Sequence, residues 1–529
     1  MNGHAGNVSP HETSFWEKDE AAPSFDSTRS LFHRITHPRR SLPPDHERAE
    51  IHDWDGPNDP ENPFNWSKTY RWLLTITGCF MSIIVALPAG SYSGGQHYMS
   101  KQFHVKEKPF NNLMWATTTF QMGAAFLPPI FVPLTESWGR RPGYLVGYSL
   151  YWIWMFPSAF APNFATLIVT RFFGGGAAAS TINIVGGMIA DIWPGGVARS
   201  RPMSLYVFSQ ITGISLGPFI GGGLQIIHIG NPWRWIFWVQ LMWGLLLMPV
   251  FWFIMRETRG DVLLSKRARK IRQETGRVVY SRFELETPSA LQRLKVSTTR
   301  PTRLLLTEPV VLFFTLWVSF AWGTLFLFFD SVSLTFRHNY KMDTFTIGLI
   351  ELAVSVGAVI GILLNPIQDW LYARSARRDH ETSGKPIPEA RLYTAIPGSI
   401  IFTAGLFWYG WASVGDGKLH WIVPTLGIGC CGVGIYSILL SVLNYITDSY
   451  EKYAASALSS TSLGRNIISG FLPLGSLALF DHLGFGWAGT LLGFIGAGLS
   501  IVPVVLILKG PAIRRRSPFM RESMFEEDR

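Results

Sequence analysis

Residues 213–222 read GISLGPFIGG, and the solvent around this stretch decides the fold. Gly213, Gly217 and Gly221 fall four apart, Gly222 follows, and Pro218 interrupts an otherwise apolar run. Glycine and proline are the poorest helix formers in water. In a bilayer the balance changes, because freed backbone groups find no water and the helix holds. Glycines spaced four apart then allow two helices to approach closely, while Pro218 withdraws one amide donor and bends the chain. Read in lipid, the stretch is a tightly packed, kinked membrane span.

The surrounding composition supplies that lipid. Of 529 residues, 47% are hydrophobic and 14% aromatic, with 21 Trp, more apolar surface than a soluble fold of this size readily hides. The apolar residues are blocked into runs of roughly 18 to 25, the length of a bilayer crossing. Twelve spans are expected, over 72–90, 113–134, 143–161, 166–190, 203–227, 234–255, 309–330, 345–366, 392–411, 421–446, 456–479 and 486–508. Residues 1–70 are polar and rich in Pro, Ser and charge, with no early apolar core. They read as a disordered tail rather than a cleavable signal peptide.

Lys and Arg set the orientation. With the N-terminus inside, the inner loops hold Arg140, Arg141, Arg199 and Arg201, thirteen basic residues between 256 and 308, then Arg374, Arg377, Arg378, Lys385, Arg391 and Lys452, and finally Arg514, Arg515 and Arg516. The outer loops hold Lys101, Lys106, Lys108, Arg234, Arg337, Lys341 and Lys418. Both termini are therefore expected in the cytoplasm. The net charge of +10 records this asymmetry and the acidity of the inner leaflet, with no nucleic-acid partner implied. Cys79, Cys430 and Cys431 lie inside spans and form no CxxC, and the Asn7 and Asn65 glycosylation-like triplets fall on the cytoplasmic side.

The spans divide six and six around residues 256–308. That segment opens with RETRGDVLLSKRARKIRQ, which sets Val262, Leu263 and Ile271 on one side of a basic helix. An amphipathic helix on the inner leaflet and a solvated linker helix both satisfy it. Weak internal symmetry points to duplication. PLTESWGRRPG follows span 2 and NPIQDWLYARSARR follows span 8, each with an acid beyond a proline and then arginines. Span 4 ends at Asp191 and span 10 at Asp448.

At this point the chain resembles a known family. Gly213, Gly217, Pro218, Gly221 and Gly222 look like the span-5 antiporter motif of the major facilitator superfamily. ESWGRRPGY resembles its acid-x-x-G-R-R signature, with Glu136 in the acidic place, and TRFFGGGAAAS its Arg-led span-4 motif, with Arg171 as the arginine. DWDGPNDPENPFNWS before span 1 and NYITDSYEKYAASALSS at spans 10–11 are similar to the fungal twelve-span drug:proton antiporters, which include polyamine exporters. The departures are Val132 for a usual glycine, Glu136 for Asp, Ser137 for a frequent arginine, and a second-half copy that keeps Asp369 without Gly-Arg-Arg. The resemblance implies an all-α membrane protein with twelve helices in two six-helix halves, 71–255 and 309–508, joined by the linker 256–308 and followed by a tail, 509–529. It also implies a monomer with no cofactor and no metal, moving a small molecule against protons across the plasma membrane, with the vacuolar membrane as the alternative.

The family pattern names Asp191 as partner of Arg140, whose guanidinium offers a bidentate fork. Glu136 is expected near a helix N-terminus of the other half, where the helix dipole favours an anion. With Arg141, Asp369 and Asp448 these residues make a candidate cytoplasmic gate. Ionisable residues inside spans are costly and usually functional, which singles out Glu351, Arg171 and Arg465 as proton-coupling candidates. Asp330 joins them at the expected outer end of span 7, where solvation is the simpler account. Span 1 has no acid. Gln121, Asn183, Gln210, Tyr436, Asn444 and Asn466 are the polar candidates for a substrate cavity.

Other motifs carry less. GIGCCG at 427–432 matches a dinucleotide pattern but lies within span 10, with no preceding strand. His33 and His37 make an HxxxH pair in a Pro/Arg-rich tail, and there is no P-loop. The expected activity is proton-coupled export of a drug, metabolite or polyamine. Import by symport or facilitation, a transporter-like receptor, and a membrane enzyme stand as rivals.

Overall fold

The computed structural model describes residues 50–105, 111–225, 231–286, 290–375, 387–415 and 417–525. The expectations placed on Asn7, on His33 and His37, and on Lys106, Lys108, Arg377, Arg378 and Lys385 lie outside them. A short strand β1 (Glu50–His52) leads to α1 (Lys68–Phe103), α2 (Trp115–Phe126), α3 (Pro128–Trp138), α4 (Arg140–Ala159), α5 (Phe164–Ile192), α6 (Val197–Leu224) and α7 (Pro232–Ile254). The linker contributes α8 (Gly260–Thr275), β2 (Val279–Ser281), α9 (Arg282–Glu286) and α10 (Ala290–Thr307). Then come α11 (Pro309–Tyr340), α12 (Thr344–Glu351), α13 (Ala353–Ser375), α14 (Ala395–Ala412), α15 (Ile422–Tyr450), α16 (Ala454–Phe471), α17 (Ser476–Leu499), α18 (Ile501–Arg516) and α19 (Pro518–Phe525).

Local chemistry starts these helices where it should. Ser67 and Asn163 accept the Tyr70 and Thr166 amides as N-caps of α1 and α5, and Pro232 and Pro309 open α7 and α11. Among the described residues, nine helical segments are long and apolar enough to cross a membrane, the last of them the 63 residues Ala454–Arg516. That segment turns back at Gly484, with φ of 71°, between the two spans expected there. The stretches expected as spans 2 and 3 are helical too, the first broken at Leu127 ahead of Pro128.

Several boundaries move. Span 1, expected to end at 90, runs to Phe103, because the small polar residues beyond 90 pack instead of facing water. A Cβ on Gly94 would lie 2.6 Å from the backbone carbon of Gly221. Span 7, expected to end at 330, runs to Tyr340. Asp330 is therefore inside a helix and 6% exposed, which overturns its reading as a solvated residue at a span end. The tail expected from 509 is helical through Arg516 and continues into α19.

The disordered reading of the first 70 residues fails from Glu50 onward. β1 pairs in parallel with β2 of the linker, Ile51 opposite Tyr280. Asp59 is buried and accepts the amides of Asp55 and Glu61 at 3.0 and 2.9 Å. Arg267 of α8 donates to Asp59 at 2.8 Å and also pairs with Asp55. Those amides, with Arg267, hold the Asp59 carboxyl below its ordinary range. The basic linker helix thus meets an acidic segment of its own chain, with Val262 and Ala268 buried.

Within the N-terminal half α6 packs along α1 and α2 along α5; within the C-terminal half α15 packs on α13 and α14, and α11 on α16. The halves meet where α6 lies against α12 and α13, and α2 against α16. The opening stretch explains itself here. Cβ atoms added at Gly213, Gly217 and Gly221 would come within 2.8 Å of Ala86 Cβ, 2.3 Å of the Ser91 nitrogen and 2.5 Å of the Ser91 oxygen, all on α1. Gly222 faces the other half, where an added Cβ would sit 2.7 Å from the Thr344 oxygen. Three glycines seat α6 on its own half, and the fourth seats it on the opposite one.

Candidate functional site

A cavity lies between the halves. From the N-terminal half it is lined by Val85, Ala86 and Ala89 of α1, Phe120, Gln121 and Ala124 of α2, Asn183 of α5, and Gln210 and Ile214 of α6; from the other half come Trp322 and Phe326 of α11 and Ser462, Arg465 and Asn466 of α16. Small residues on α1 and α5 make the room, and aromatic rings form the walls. Gln121 donates to Ser469 at 3.3 Å and Asn466 to the Ala124 carbonyl at 2.9 Å, so two polar linings also tie the halves together. Tyr436 and Asn444 are buried away from the cavity. Tyr436 packs on Gly361, where an added Cβ would lie 2.2 Å from the ring.

The ionisable span residues separate into distinct environments. Arg171 is 3% exposed, donates to the carbonyls of Ala116 at 2.9 Å and Pro88 at 3.4 Å, and lies over the rings of Tyr92 and Phe120. Asp330 accepts from Ser476 and, across the halves, from Asn111 at 3.4 Å. Glu351 ends α12, is 3% exposed, and has one carboxylate oxygen with no hydrogen-bond partner; Asp330 is within electrostatic reach. Arg465 instead reaches the cavity, its guanidinium 4.7 Å over the ring of Trp322.

The first and last described elements, β1 and α19, lie toward one face of the bundle, called here the terminal face, and it carries two ionic clusters. In the first, Arg140 Nε donates to Asp191 at 2.9 Å, with Arg259 3.7 Å from the same carboxylate. The guanidinium lies flat on α5 because position 187 is glycine; a Cβ there would be 2.7 Å from Arg140 Cζ. Glu257 accepts the amides of Arg140, Arg141, Thr258 and Arg259 at 2.8 to 3.1 Å, so an acid caps α4 at its positive dipole end. Arg141 donates to the Trp252 carbonyl. Glu136 is half-buried on α3, which packs against the linker helix α10.

In the second cluster Arg391 Nε donates to Asp448 at 2.7 Å, Tyr372 donates to the same oxygen at 2.9 Å, and the guanidinium covers the Tyr372 ring. Arg514 donates twice to Glu389, at 2.7 and 3.1 Å, with side chains only 2% and 5% exposed. Asp369 is buried with both oxygens lacking a hydrogen-bond partner, near Ser200, Arg391 and Arg201. Glu257, Glu389 and Asn111 escaped the sequence reading, and Arg391 and Arg514 entered it only as topology signals. Glu257 had one visible mark, an acid at the junction of span 6 and the linker.

Among the described residues no group of three or more His, Cys, Asp or Glu could hold a metal ion, and the three cysteines are free. Gly213–Gly217 also spells G-x-S-x-G, but Ser215 is 1% exposed within α6, a packing position.

The arrangement of two helical halves around a shared cavity has known counterparts. The chain is 33% identical over 471 residues to the MFS transporter cpaT of Aspergillus oryzae, covering 88% of this chain and 92% of that one. It is 35% identical over 397 residues to the efflux pump atB of Aspergillus terreus, covering 74% and 82%. The crystallised proton:xylose symporter XylE shares the fold at a TM-score of 0.58 and 14% identity, covering 83% and 96%. Residues 74–473 match the sequence profile of the Major Facilitator Superfamily. On the fold, the cavity between its halves and these likenesses, the chain belongs to the Major Facilitator Superfamily and is a multi-pass membrane transporter of the fungal kind.

Proposed function

We propose that the protein exports a small organic molecule in exchange for protons by alternating access, with its terminal face in the cytoplasm and the plasma membrane as its site. The observation that carries this reading is the cavity at the seam, bounded toward both faces by contacts between the halves. Toward the terminal face, Arg391 reaches the Gly196 carbonyl across the halves at 3.5 Å, and Ser297 of the linker reaches the Pro129 carbonyl of α3 at 2.7 Å. Toward the other face stand Asn111 on Asp330 and Gly222 on Thr344. Each set is small enough to break while the halves rock. The inner placement of Lys and Arg supports the orientation, and the naming of atB as an efflux pump supports the direction.

Glu351 is the residue proposed to carry the proton. It is buried, has an oxygen free to accept, and makes no ion pair among the described residues. The gate consists of Glu136, Arg140, Arg141, Asp191, Asp369 and Asp448, whose contacts at the terminal face must loosen for the cavity to open inward. The close fit of α6 on α1 keeps the pathway from leaking. A proton entering through 100 mV contributes about 2.3 kcal/mol and a pH unit about 1.4. One-for-one exchange could then hold a neutral solute at a gradient of several hundred-fold.

The test is purified protein in liposomes with an imposed pH gradient, an internal pH dye, and a panel of cationic, neutral and anionic labelled solutes. Solute-dependent collapse of the gradient, abolished by Glu351→Gln, is the expected result. Solute crossing with the gradient intact shows a facilitator and removes the proton role of Glu351. Movement of solute and proton in the same direction shows symport.

A further inference from the structure

We infer that the cavity is built for an organic anion: an aromatic or otherwise apolar molecule bearing a carboxylate or an equivalent delocalised oxyanion, with Arg465 as its counter-ion. This rests on reading the cavity as the seat of the transported molecule. Arg465 is the charged residue among the cavity linings, and no acid joins it there. Its Nε is buried without an acceptor, and it enters no ion pair among the described residues. Its guanidinium lies over the face of Trp322 with Tyr206 within electrostatic reach, and it donates no hydrogen bond among the described residues.

Arg171, whose Nη2 also lacks a partner, is nevertheless the better compensated arginine of the same protein. It is sandwiched between two rings and donates to two carbonyls. Arg465 has a ring and, among the described residues, no carbonyl acceptor, so its charge is the less compensated of the two. A membrane-depth cation left in this state is costly, and the cost falls when an entering ligand brings the opposite charge. The guanidinium fork matches a carboxylate in geometry as well as sign. Phe120, Trp322 and Phe326 offer ring faces to the apolar body of such a molecule. Asn183 and Gln210 line the same space and donate to no other described residue, so they remain available to its neutral oxygens. Glu351 and Asp330 lie outside these linings, and a cationic solute would meet Arg465 with nothing opposing it.

The experiment uses the full-length protein in nanodiscs and three probes of one shape, 2-naphthylacetate, 2-(2-naphthyl)ethanol and 2-(2-naphthyl)ethylamine, with binding read by equilibrium dialysis. The acetate is expected to bind at least about ten-fold more tightly than the alcohol or the amine, the order of one charge-assisted bidentate contact. Arg465→Gln should level the acetate with the alcohol. Arg465→Lys should keep a reduced preference, which preserves the test if the glutamine variant fails to fold. Equal or tighter binding of the alcohol or amine overturns the inference, as does undetectable acetate binding at millimolar concentration or an unchanged preference in Arg465→Gln. No flux is needed for this readout. Anion preference without proton-coupled exchange would therefore defeat the transport mechanism and leave the site standing, whereas proton exchange driven by a cation would do the reverse.

Discussion

The two halves brace their terminal faces with the same first contact and opposite second ones. In each, an arginine at or just before the start of one helix grips an aspartate at the end of the next, Arg140 on Asp191 and Arg391 on Asp448. The second brace inverts the charges. In the N-terminal half the end of the sixth span supplies an acid, Glu257, which binds backbone amides at the start of α4. In the C-terminal half the acid, Glu389, stands before α14, and the end of the chain's last membrane helix supplies the arginine. Each brace rests on a glycine, since an added Cβ would lie 2.1 Å from Glu257 Oε2 at Gly139 and 2.2 Å from Glu389 Oε1 at Gly510. The difference teaches that helices in corresponding places of the two halves keep their ends together by whichever carboxylate contact fits, while the glycine that admits the carboxylate is the shared requirement.

The largest effect is expected from Glu389→Ala, which removes the carboxylate that accepts two hydrogen bonds from Arg514 at 2% side-chain exposure. Breaking such a pair costs about 3–5 kcal/mol, seen as a lowered melting temperature in detergent. Replacing both residues, Glu389→Leu with Arg514→Met, should recover most of the loss; a double variant no better than the single would show that the braces are not interchangeable with apolar packing.

Gly139→Ala comes next. Its φ of 104° disfavours any side chain and the new methyl strikes Glu257, for about 2–3 kcal/mol in total. Gly510 lies in regular helix, so Gly510→Ala should cost less, and a larger effect there would break the ranking.

Asp191→Asn and Asp448→Asn leave hydrogen-bonding side chains in place, so each should cost about 1–2 kcal/mol. Asp448→Asn should be the worse of the two, because Asp448 also accepts from Tyr372 and its arginine is more buried. Thermal melts of the two variants, run side by side, decide this.

The smallest effect concerns the β1 segment on α8. Its Asp59 has a lowered folded pKa, so its contribution is fully present above the ordinary value of 3.8 and is lost as pH falls through the lower folded value. Limited proteolysis near residue 50 should be unchanged from neutral pH down to that point and accelerate below it. Asp59→Asn should show the accelerated rate at every pH, and wild-type cleavage rising already near pH 6 would contradict this account.

The sequence by itself determined the solvent, and with it the class of fold. Apolar runs of bilayer length, the sided distribution of Lys and Arg, and the glycine spacing of α6 all act through the chain's own nearest turns, which is why they can be read one stretch at a time. The superfamily motifs were legible for the same reason, each being a local string. Gln121, Asn183, Gln210 and Asn466 could be picked out as polar residues mid-span, but nothing local separated them from Tyr436 and Asn444, which face away from the cavity.

Tertiary structure decided the rest, because these outcomes depend on which helices meet. Glu257 and Arg140 are 117 residues apart and Glu389 and Arg514 are 125 apart, so no periodicity links them. Asp330 looked solvated until α11 ran past it and the turn ahead of α2 and the start of α17 closed over it. Arg171 and Arg465 are equivalent in sequence terms, each a lone arginine in a span. Packing gave one of them two carbonyls and two rings and left the other with one ring beside the cavity. A buried charge is defined by what compensates it, and compensation is a property of the assembled helices.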